Sequence, residues 1–252
     1  MNRILYFVLM MLLIDTLGST DIHAQESSGQ LWFCWEATVH PDLESRFVEL
    51  QASYHNTLKE HGFPYSMYTW NDSEFGYYFF YPVDSYEDKS AIYAALGEAV
   101  PSWGEDNWNR MWETVQSHRT YFLKALPEIS YQPQNPRLDQ MEMPYAYWDI
   151  LYVIPGKEAT FTELMKKLGA LEKDVNYDDP IQMLTGDVGY EGSVYIGALK
   201  GKDAIDFRTS NQRMTDLIGE EWMDIFRKAL TLTWKRESKE FWYLPDLSYF
   251  PE

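Results

Sequence analysis

The spacing of apolar residues predicts that the first half of the chain opens with a strand, a helix and a hairpin. Residues 31–39 are almost continuously apolar, as in a buried strand, and His40-Pro41-Asp42 ends the run. An amphipathic helix follows and ends at Gly62. Its apolar positions recur at steps of three and four: Leu43, Phe47, Leu50, Tyr54 and Leu58. Residues 65–70 and 76–83 then form a hairpin around a turn at 71–73.

Helical spacing resumes after the hairpin. Residues 86–100 are predicted to be helical, Pro101 interrupts them, and a second helix begins near Glu105. One face of this second helix carries Trp108, Met111, Trp112, Val115 and Phe122. We expect it to continue to Pro127, and residues 129–132 to close the unit as a short strand.

The same order of elements returns after a segment rich in proline, within which residues 134–144 are predicted to be a linker. A strand at 145–154 precedes a helix whose apolar face carries Phe161, Leu164, Met165, Leu168 and Leu171. The remaining predicted elements are a hairpin (181–185 and 193–199), helices at 204–218 and from 222 to about 243, and a closing strand at 247–250. The chain thus contains two similar units, residues 31–133 and 145–252.

Direct sequence matches indicate that the two units are copies of each other. Residues 126–133 (LPEISYQP) and 244–251 (LPDLSYFP) are identical at five of eight positions, 118 residues apart. Pro41 and Phe47 match Pro155 and Phe161 at an offset of 114 residues. An offset that drifts slowly, as small loop insertions would cause, favours an internal duplication over chance similarity.

The strands require cover on both faces. Residues 77–81 read Tyr-Tyr-Phe-Phe-Tyr, so side chains on both sides of this strand are aromatic. Residues 147–154 are nearly as apolar on both sides. In a sheet with one solvent-exposed face, apolar and polar residues would alternate along each strand. We therefore predict an α+β protein in which helices cover one face of each sheet and the two sheets pack on each other, as a sandwich or a closed barrel.

This order of elements resembles the dimeric α+β barrel superfamily, which includes antibiotic-biosynthesis-monooxygenase-like and NIPSNAP-like proteins. The short run Val-Ile-Pro-Gly-Lys at 153–157, leading into Phe161-Thr162-Glu163-Leu164, carries the resemblance, and residues 39–42 depart from it in the first unit. The resemblance implies two tandem ferredoxin-like units forming a pseudo-dimeric barrel, and hence a monomer. Its members range over cofactor-free oxidation, haem chemistry and plain binding, so it does not choose an activity.

Composition excludes one large class of function. The formal net charge is −18 and no cluster of Lys and Arg interrupts it, so nucleic-acid binding is not expected. Cys34 is the only cysteine and lies within an apolar run, which favours a small buried side chain over a nucleophile.

The N-terminus has the pattern of a secretory signal. Arg3 precedes an apolar run at residues 4–14, and a polar segment leads to Ala24. We expect cleavage after Ala24 (signal peptide 1–24) and a secreted or periplasmic protein without stable membrane association; an uncleaved anchor is the alternative.

The search for chemistry yields few candidates. The sequence has no serine nucleophile elbow, zinc-type Cys/His pair or HExxH helix, and we expect neither a cofactor nor a metal. His118, on the predicted second helix, would need an apolar cavity beside it to serve as a haem ligand, and needs nothing to be a surface histidine. Glu36 and Asp149 lie in ring-rich strands, where a buried carboxyl could act as a general acid or base; solvation, or pairing with Arg or Tyr, is the alternative.

These observations favour a module that binds a small apolar or aromatic ligand in the space between the two sheets. Its candidate ligand-binding residues are Trp35, Glu36, Tyr78, Trp148, Asp149 and Tyr195. The alternatives are a cofactor-independent oxygenase or isomerase that uses Glu36 or Asp149 as a base, and a non-catalytic interaction protein whose barrel is filled by its own side chains.

Overall fold

The computed structural model describes residues 29–251, so the predicted signal peptide lies outside the described residues. The first unit has the order strand, helix, hairpin, two helices, strand. Its elements are β1 (Leu31–Val39), α1 (Glu44–Glu60), β2 (Tyr68–Asn71), β3 (Gly76–Val83), α2 (Asp88–Trp103), α3 (Glu105–Trp112) and β4 (Val115–Ala125).

The second unit repeats this order. Its elements are β5 (Tyr145–Val153), α4 (Glu158–Asp174), β6 (Ile181–Gly186), β7 (Ser193–Gly201), α5 (Ala204–Ile218), α6 (Glu220–Leu230) and β8 (Thr233–Tyr243). The equivalent elements β1 and β5 both have 9 residues, α1 and α4 both have 17, and β4 and β8 both have 11. The copies therefore share their architecture as well as their sequence echo.

The eight strands form one closed antiparallel barrel in the order β1-β3-β2-β8-β5-β7-β6-β4. Within each unit the first strand lies between the third and fourth strands, as in a ferredoxin-like sheet. Two seams, β2 with β8 and β4 with β6, join the units edge to edge. Closure leaves no free sheet edge along the ring. The predicted α+β pseudo-dimeric barrel is confirmed.

Side chains on alternate strand positions fill two different environments. Tyr78 and Phe80 point into the barrel, whereas Tyr77, Phe79 and Tyr81 pack beneath the helices of the first unit. The prediction that this strand is covered on both faces is therefore correct. Helices α4 and α6 cover the outer face of the second sheet in the same way.

The prediction of long helices before Pro127 and up to about residue 243 is wrong. Helix α3 ends at Trp112, where the buried Thr114 hydroxyl donates to the carbonyl of Met111 at 2.5 Å, and β4 follows. Helix α6 ends at Leu230 and β8 follows. Pairing along β1 and β5 outweighs the helical spacing of a few large residues, because each last strand gains a complete ladder there.

The predicted closing strands are reduced to single bridges. Residues Pro127–Ile129 and Pro245–Leu247 form 3-10 turns, and only Tyr131 and Tyr249 make isolated bridges, with Ile181 and Met67. The proline at the start of each segment favours the turn. Among residues 29–251, no helix has the length and apolar character needed to cross a membrane.

Candidate functional site

A cavity of about 360 Å³ lies in the first unit, between the outer face of its sheet and helices α1, α2 and α3. Eight Phe, Tyr and Trp rings line it, and no Asp, Glu, Lys or Arg does. The lining consists of Phe33, Trp35, Gln51, Tyr54, Leu58, Met67, Phe79, Tyr81, Tyr93, Leu96, Gly97, Trp108, Met111, Trp112 and His118. We call this space the helix-side cavity.

The sheet wall of the helix-side cavity follows from the period of two along the strands. Phe33 and Trp35 are alternate residues of β1 and so point to the same side. Phe79 pairs with Trp35 across β1 and β3, and their ring centroids are 5.2 Å apart. The two ring planes are inclined at 47°, so they form an aromatic wall against which a ligand ring can pack.

The helical wall follows from spacings of three and four. Gln51, Tyr54 and Leu58 lie on one face of α1, and Trp108 and Trp112 lie one turn apart on α3. The Tyr54 hydroxyl donates to the carbonyl of Leu96 in α2 at 2.5 Å, and burial raises the pKa of Tyr54. The hydroxyl therefore stays protonated and ties α1 to α2 beside the cavity.

The cavity reaches the surface at His118 and Tyr93. Tyr93 is 42% exposed, and His118 is exposed on β4. The imidazole lies 5.2 Å from the Trp112 ring and 6.2 Å from the Trp35 ring, centroid to centroid. The mouth thus combines one ionisable ring with two indoles, while Phe33, Tyr54 and other buried residues form the interior.

Next to the cavity, α1 contains a buried polar pair. Nε2 of His55 lies 3.0 Å from Nε2 of Gln51, and Nδ1 of His55 has no hydrogen-bond partner among the described residues. Burial lowers the pKa of His55 to about 4, because the protonated ring would be desolvated without a counter-charge. His55 is therefore neutral near pH 7.

The second unit differs at the equivalent positions. Asp149 stands 114 residues after Trp35, and Arg236 stands 118 residues after His118. The guanidinium of Arg236 donates to both carboxylate oxygens of Asp149, at 2.7 and 2.9 Å, and lies 5.4 Å from the centre of the Phe226 ring. An ion pair thus stands in the second unit where the first has two cavity-lining rings.

The space between the sheets, where we expected the ligand, is largely filled. Buried side chains of both units pack inside the barrel, among them Tyr78, Tyr121, Trp148 and Phe241. A smaller cavity of about 100 Å³ remains at one end, and Trp148 is part of its lining. The structure therefore places the larger cavity outside the barrel.

The six candidate residues lie in three different environments. Trp35 lines the helix-side cavity and Trp148 the smaller one, whereas Asp149 forms the ion pair described above. Tyr195 packs on the ring of Phe161 on the outer face of the second sheet, at 4.7 Å between centroids.

The other two candidates, Glu36 and Tyr78, belong to polar networks of the barrel. Glu36 accepts from Arg119 at 2.8 Å. Tyr78 donates to Asp72 at 2.7 Å and accepts from Lys239 at 2.6 Å. Glu36 and Asp149, the two acids that we considered as a catalytic base, are each paired with an arginine. Neither of them lines the helix-side cavity.

Sequence reasoning missed most of the helix-side cavity. Tyr54, Trp108 and Trp112 were visible as apolar helical positions, but that pattern does not distinguish a packed core from a cavity wall. His118 was expected on a helix, and only its true place on β4 brings it beside Trp35. Among the described residues, no group of three His, Cys, Asp or Glu could hold a metal ion.

No family model and no curated protein sequence matches the chain. Solved structures do. An anthrone oxidase-like protein aligns over 87% of this chain and 93% of its own, with a TM-score of 0.58 and 13% identity. A variant chlorite dismutase from Candidatus Nitrospira defluvii aligns over 91% of this chain and 97% of its own, with a TM-score of 0.58 and 9% identity.

A proposed monooxygenase from Lactobacillus acidophilus NCFM aligns over 86% of this chain and 94% of its own, with a TM-score of 0.54 and 8% identity. Each of these alignments covers more than nine-tenths of the other chain, so each neighbour spans both units in one polypeptide. Identities this low show a shared fold alone and do not bear on activity. The resemblance inferred from the sequence is confirmed: the chain has the fold of the dimeric α+β barrel superfamily, with both ferredoxin-like units in one polypeptide.

Proposed function

We propose that the protein binds one small, planar, uncharged aromatic molecule in the helix-side cavity. The observation that carries the proposal is the lining of that cavity, which has eight aromatic rings and no Asp, Glu, Lys or Arg side chain. Its volume of about 360 Å³ falls in the range of ligand sites, roughly 300–1,000 Å³. A charged ligand would lose its hydration there without gaining a counter-charge.

One ligand per chain follows from the difference between the units. The Arg236–Asp149 pair would place a guanidinium and a carboxylate where the first unit offers Trp35 and His118. Removing either charge from its partner to admit an apolar ring would be costly. We therefore expect a stoichiometry of one.

Titration calorimetry and thermal shift with 2-naphthol, anthrone and 1,4-naphthoquinone test this proposal. A molecule that binds only the folded protein must raise its melting temperature. We expect Trp108→Leu to weaken binding by on the order of tenfold, because a ring contact is lost. The matched control is Phe226→Leu, 118 residues later in the second unit, which should leave affinity unchanged. No response to any probe would refute the proposal.

A second candidate function is oxidation of such a ligand by O₂ without a cofactor. His118 favours it, because an imidazole at the cavity mouth is the usual kind of side chain to accept a proton from a bound substrate. Structural neighbours described as anthrone oxidase-like and as a proposed monooxygenase support it. With anthrone, one O₂ would convert the CH₂ group to a carbonyl and give anthraquinone and water. Oxygen uptake that His118→Asn abolishes, with binding retained, would establish it.

The residues of this cavity do not fit a haem. Its iron would need an axial ligand, and His118 lies at the exposed mouth against two indole rings. His55, the other nearby imidazole, is not part of the lining, and Gln51 contacts its Nε2. No Lys or Arg in the lining could pair with the propionates. We therefore expect haem, unlike the three aromatic probes, not to raise the melting temperature.

We also propose that the protein is exported and acts as a monomer outside the cytoplasm. The apolar run at residues 4–14 and the small residue Ala24 support export. Because one chain supplies both halves of the barrel, no second copy is needed to close it. N-terminal sequencing of the mature protein should begin at Gln25, and a sedimentation experiment should give the mass of one chain. An intact N-terminus in the membrane fraction would refute cleavage.

A further inference from the structure

Gly97 is an unusual residue for the middle of a helix. It lies inside α2, where glycine destabilises a helix relative to alanine. Its backbone is not in the left-handed region, and a Cβ built there would meet no atom within 4 Å apart from its chain neighbours and the backbone of its own helix. Neither conformation nor crowding therefore requires a glycine at this position.

Gly97 is also part of the cavity lining. It lies four residues after Tyr93, on the same face of α2, and both residues contact the cavity. Since Gly97 has no side chain, the atoms that it presents to the cavity belong to its main chain. The empty space beside it is thus available to a ligand.

The carbonyl group of Gly97 lacks its usual helical donor. In an α-helix that donor is the N–H four residues later, which here is the nitrogen of Pro101 and carries no hydrogen. No side chain of residues 29–251 donates a hydrogen bond to this oxygen, whereas the neighbouring carbonyl, that of Leu96, accepts one from Tyr54. Gly97 therefore borders a cavity without charged Asp, Glu, Lys or Arg side chains, and its carbonyl group lacks the helical N–H partner.

We infer that the ligand carries a hydroxyl group that donates to the carbonyl oxygen of Gly97, and that its ring occupies the space left by the missing side chain. The inference rests on the proposed function and narrows its ligand class to planar phenols and enols. A hydroxyl donor satisfies the acceptor, whereas an ether or a hydrocarbon of the same shape leaves it unpaired.

Two probes of matched shape test the hydroxyl: 2-naphthol and 2-methoxynaphthalene. The wild-type protein should bind the naphthol about two- to tenfold more tightly, the contribution of one hydrogen bond. Pro101→Ala restores the N–H that pairs with Gly97 and should abolish this preference. Equal binding of both probes to the wild type would overturn the inference alone. If neither probe binds, the proposed function falls with it.

Gly97→Ala tests the space. We expect it to raise the melting temperature of the free protein by about 1–4 °C while weakening naphthol binding by on the order of tenfold. The matched control is Gly169→Ala in α4, where a Cβ also meets nothing and no cavity lining is involved. It should stabilise the protein to a similar extent and leave affinity unchanged. Full affinity in Gly97→Ala would contradict the inference.

Discussion

Glu172 is a single residue that makes the stability of the protein depend on pH. Its side chain lies between α4 and α6, is 4% exposed, and accepts one hydrogen bond from the indole of Trp222 at 3.0 Å. Burial raises the pKa of Glu172 from 4.5 to about 7, because a neutral donor does not replace the lost hydration of a carboxylate. The protonated form is therefore the one that suits the folded state.

The sign of the effect follows from this raised pKa. The contribution of Glu172 to the free energy of unfolding is fully present below about pH 4.5 and is lost as the pH rises through about 7. The total loss is about 3 kcal/mol. Glu172→Gln keeps an acceptor for Trp222 and cannot ionise, so it should stabilise the protein at pH 8 and remove this part of the pH dependence. Urea unfolding at pH 5 and pH 8 measures the free energy of unfolding of the variant and of the wild type. The exposed Glu163→Gln, on the same helix, should retain the wild-type profile.

Single residues also show where sequence reasoning stops. Trp35 and Trp148 are both candidates for the space between the two sheets. Trp148 does face the interior of the barrel, whereas Trp35 lies on the opposite side of its strand and lines the helix-side cavity. Alternation tells which side of a strand a residue occupies, but the volume left on that side depends on every neighbouring side chain.

At the scale of elements, the loop between β6 and β7 determines how the units join at one seam. The amide of Asp187 donates to the carbonyl of Phe122 at 2.9 Å, and the Phe122 amide donates to Val188 at 2.8 Å, so the loop extends the pairing of β6 with β4. Gly189 follows with φ of +94°, and a Cβ there would lie 2.5 Å from the carbonyl oxygen of Thr120.

Gly189→Ala should therefore destabilise the protein by about 2–4 kcal/mol, from backbone strain and the clash with β4 together. Gly192→Ala separates the two causes, because Gly192 also has a positive φ, +65°, but a Cβ there meets nothing. It should cost only about 1 kcal/mol. Chemical denaturation measures the loss of unfolding free energy in each variant. Equal losses in the two variants would show that the clash is absent.

The strands β4 and β8 show which elements the sequence could not reveal. Their residues include large side chains at helical spacing, and both were predicted as continuations of helices α3 and α6. Each lies along the first strand of its own unit, and that strand is distant in sequence. The elements whose apolar pattern is purely local, such as β1, α1 and the hairpins, were predicted at nearly their observed positions.

At the scale of the whole molecule, strands with apolar side chains on both faces predicted that two sheets pack together. The sequence repeat predicted that the two sheets belong to equivalent units. What the sequence could not specify is how the sheets meet. The seam between β2 and β8 contains only two paired positions in the strands, Trp70 with Tyr243 and Asn71 with Trp242. The sequence around these residues carries no signal for their partners, because pairing depends on closure of the whole ring.

Closure makes the two units one cooperative structure, and Thr69 offers a test. Thr69 is fully buried beside the β2–β8 seam, where its hydroxyl donates to the carbonyl of Leu247 at 2.5 Å and its amide donates to Ser248. Thr69→Val leaves that carbonyl unpaired and should lower the melting temperature by about 2–8 °C. Because neither sheet can keep its barrel face covered alone, tryptophan fluorescence and far-ultraviolet circular dichroism should shift together in a single transition. The partly exposed Thr57→Val should change neither signal, and two separated transitions in Thr69→Val would show that the units unfold independently.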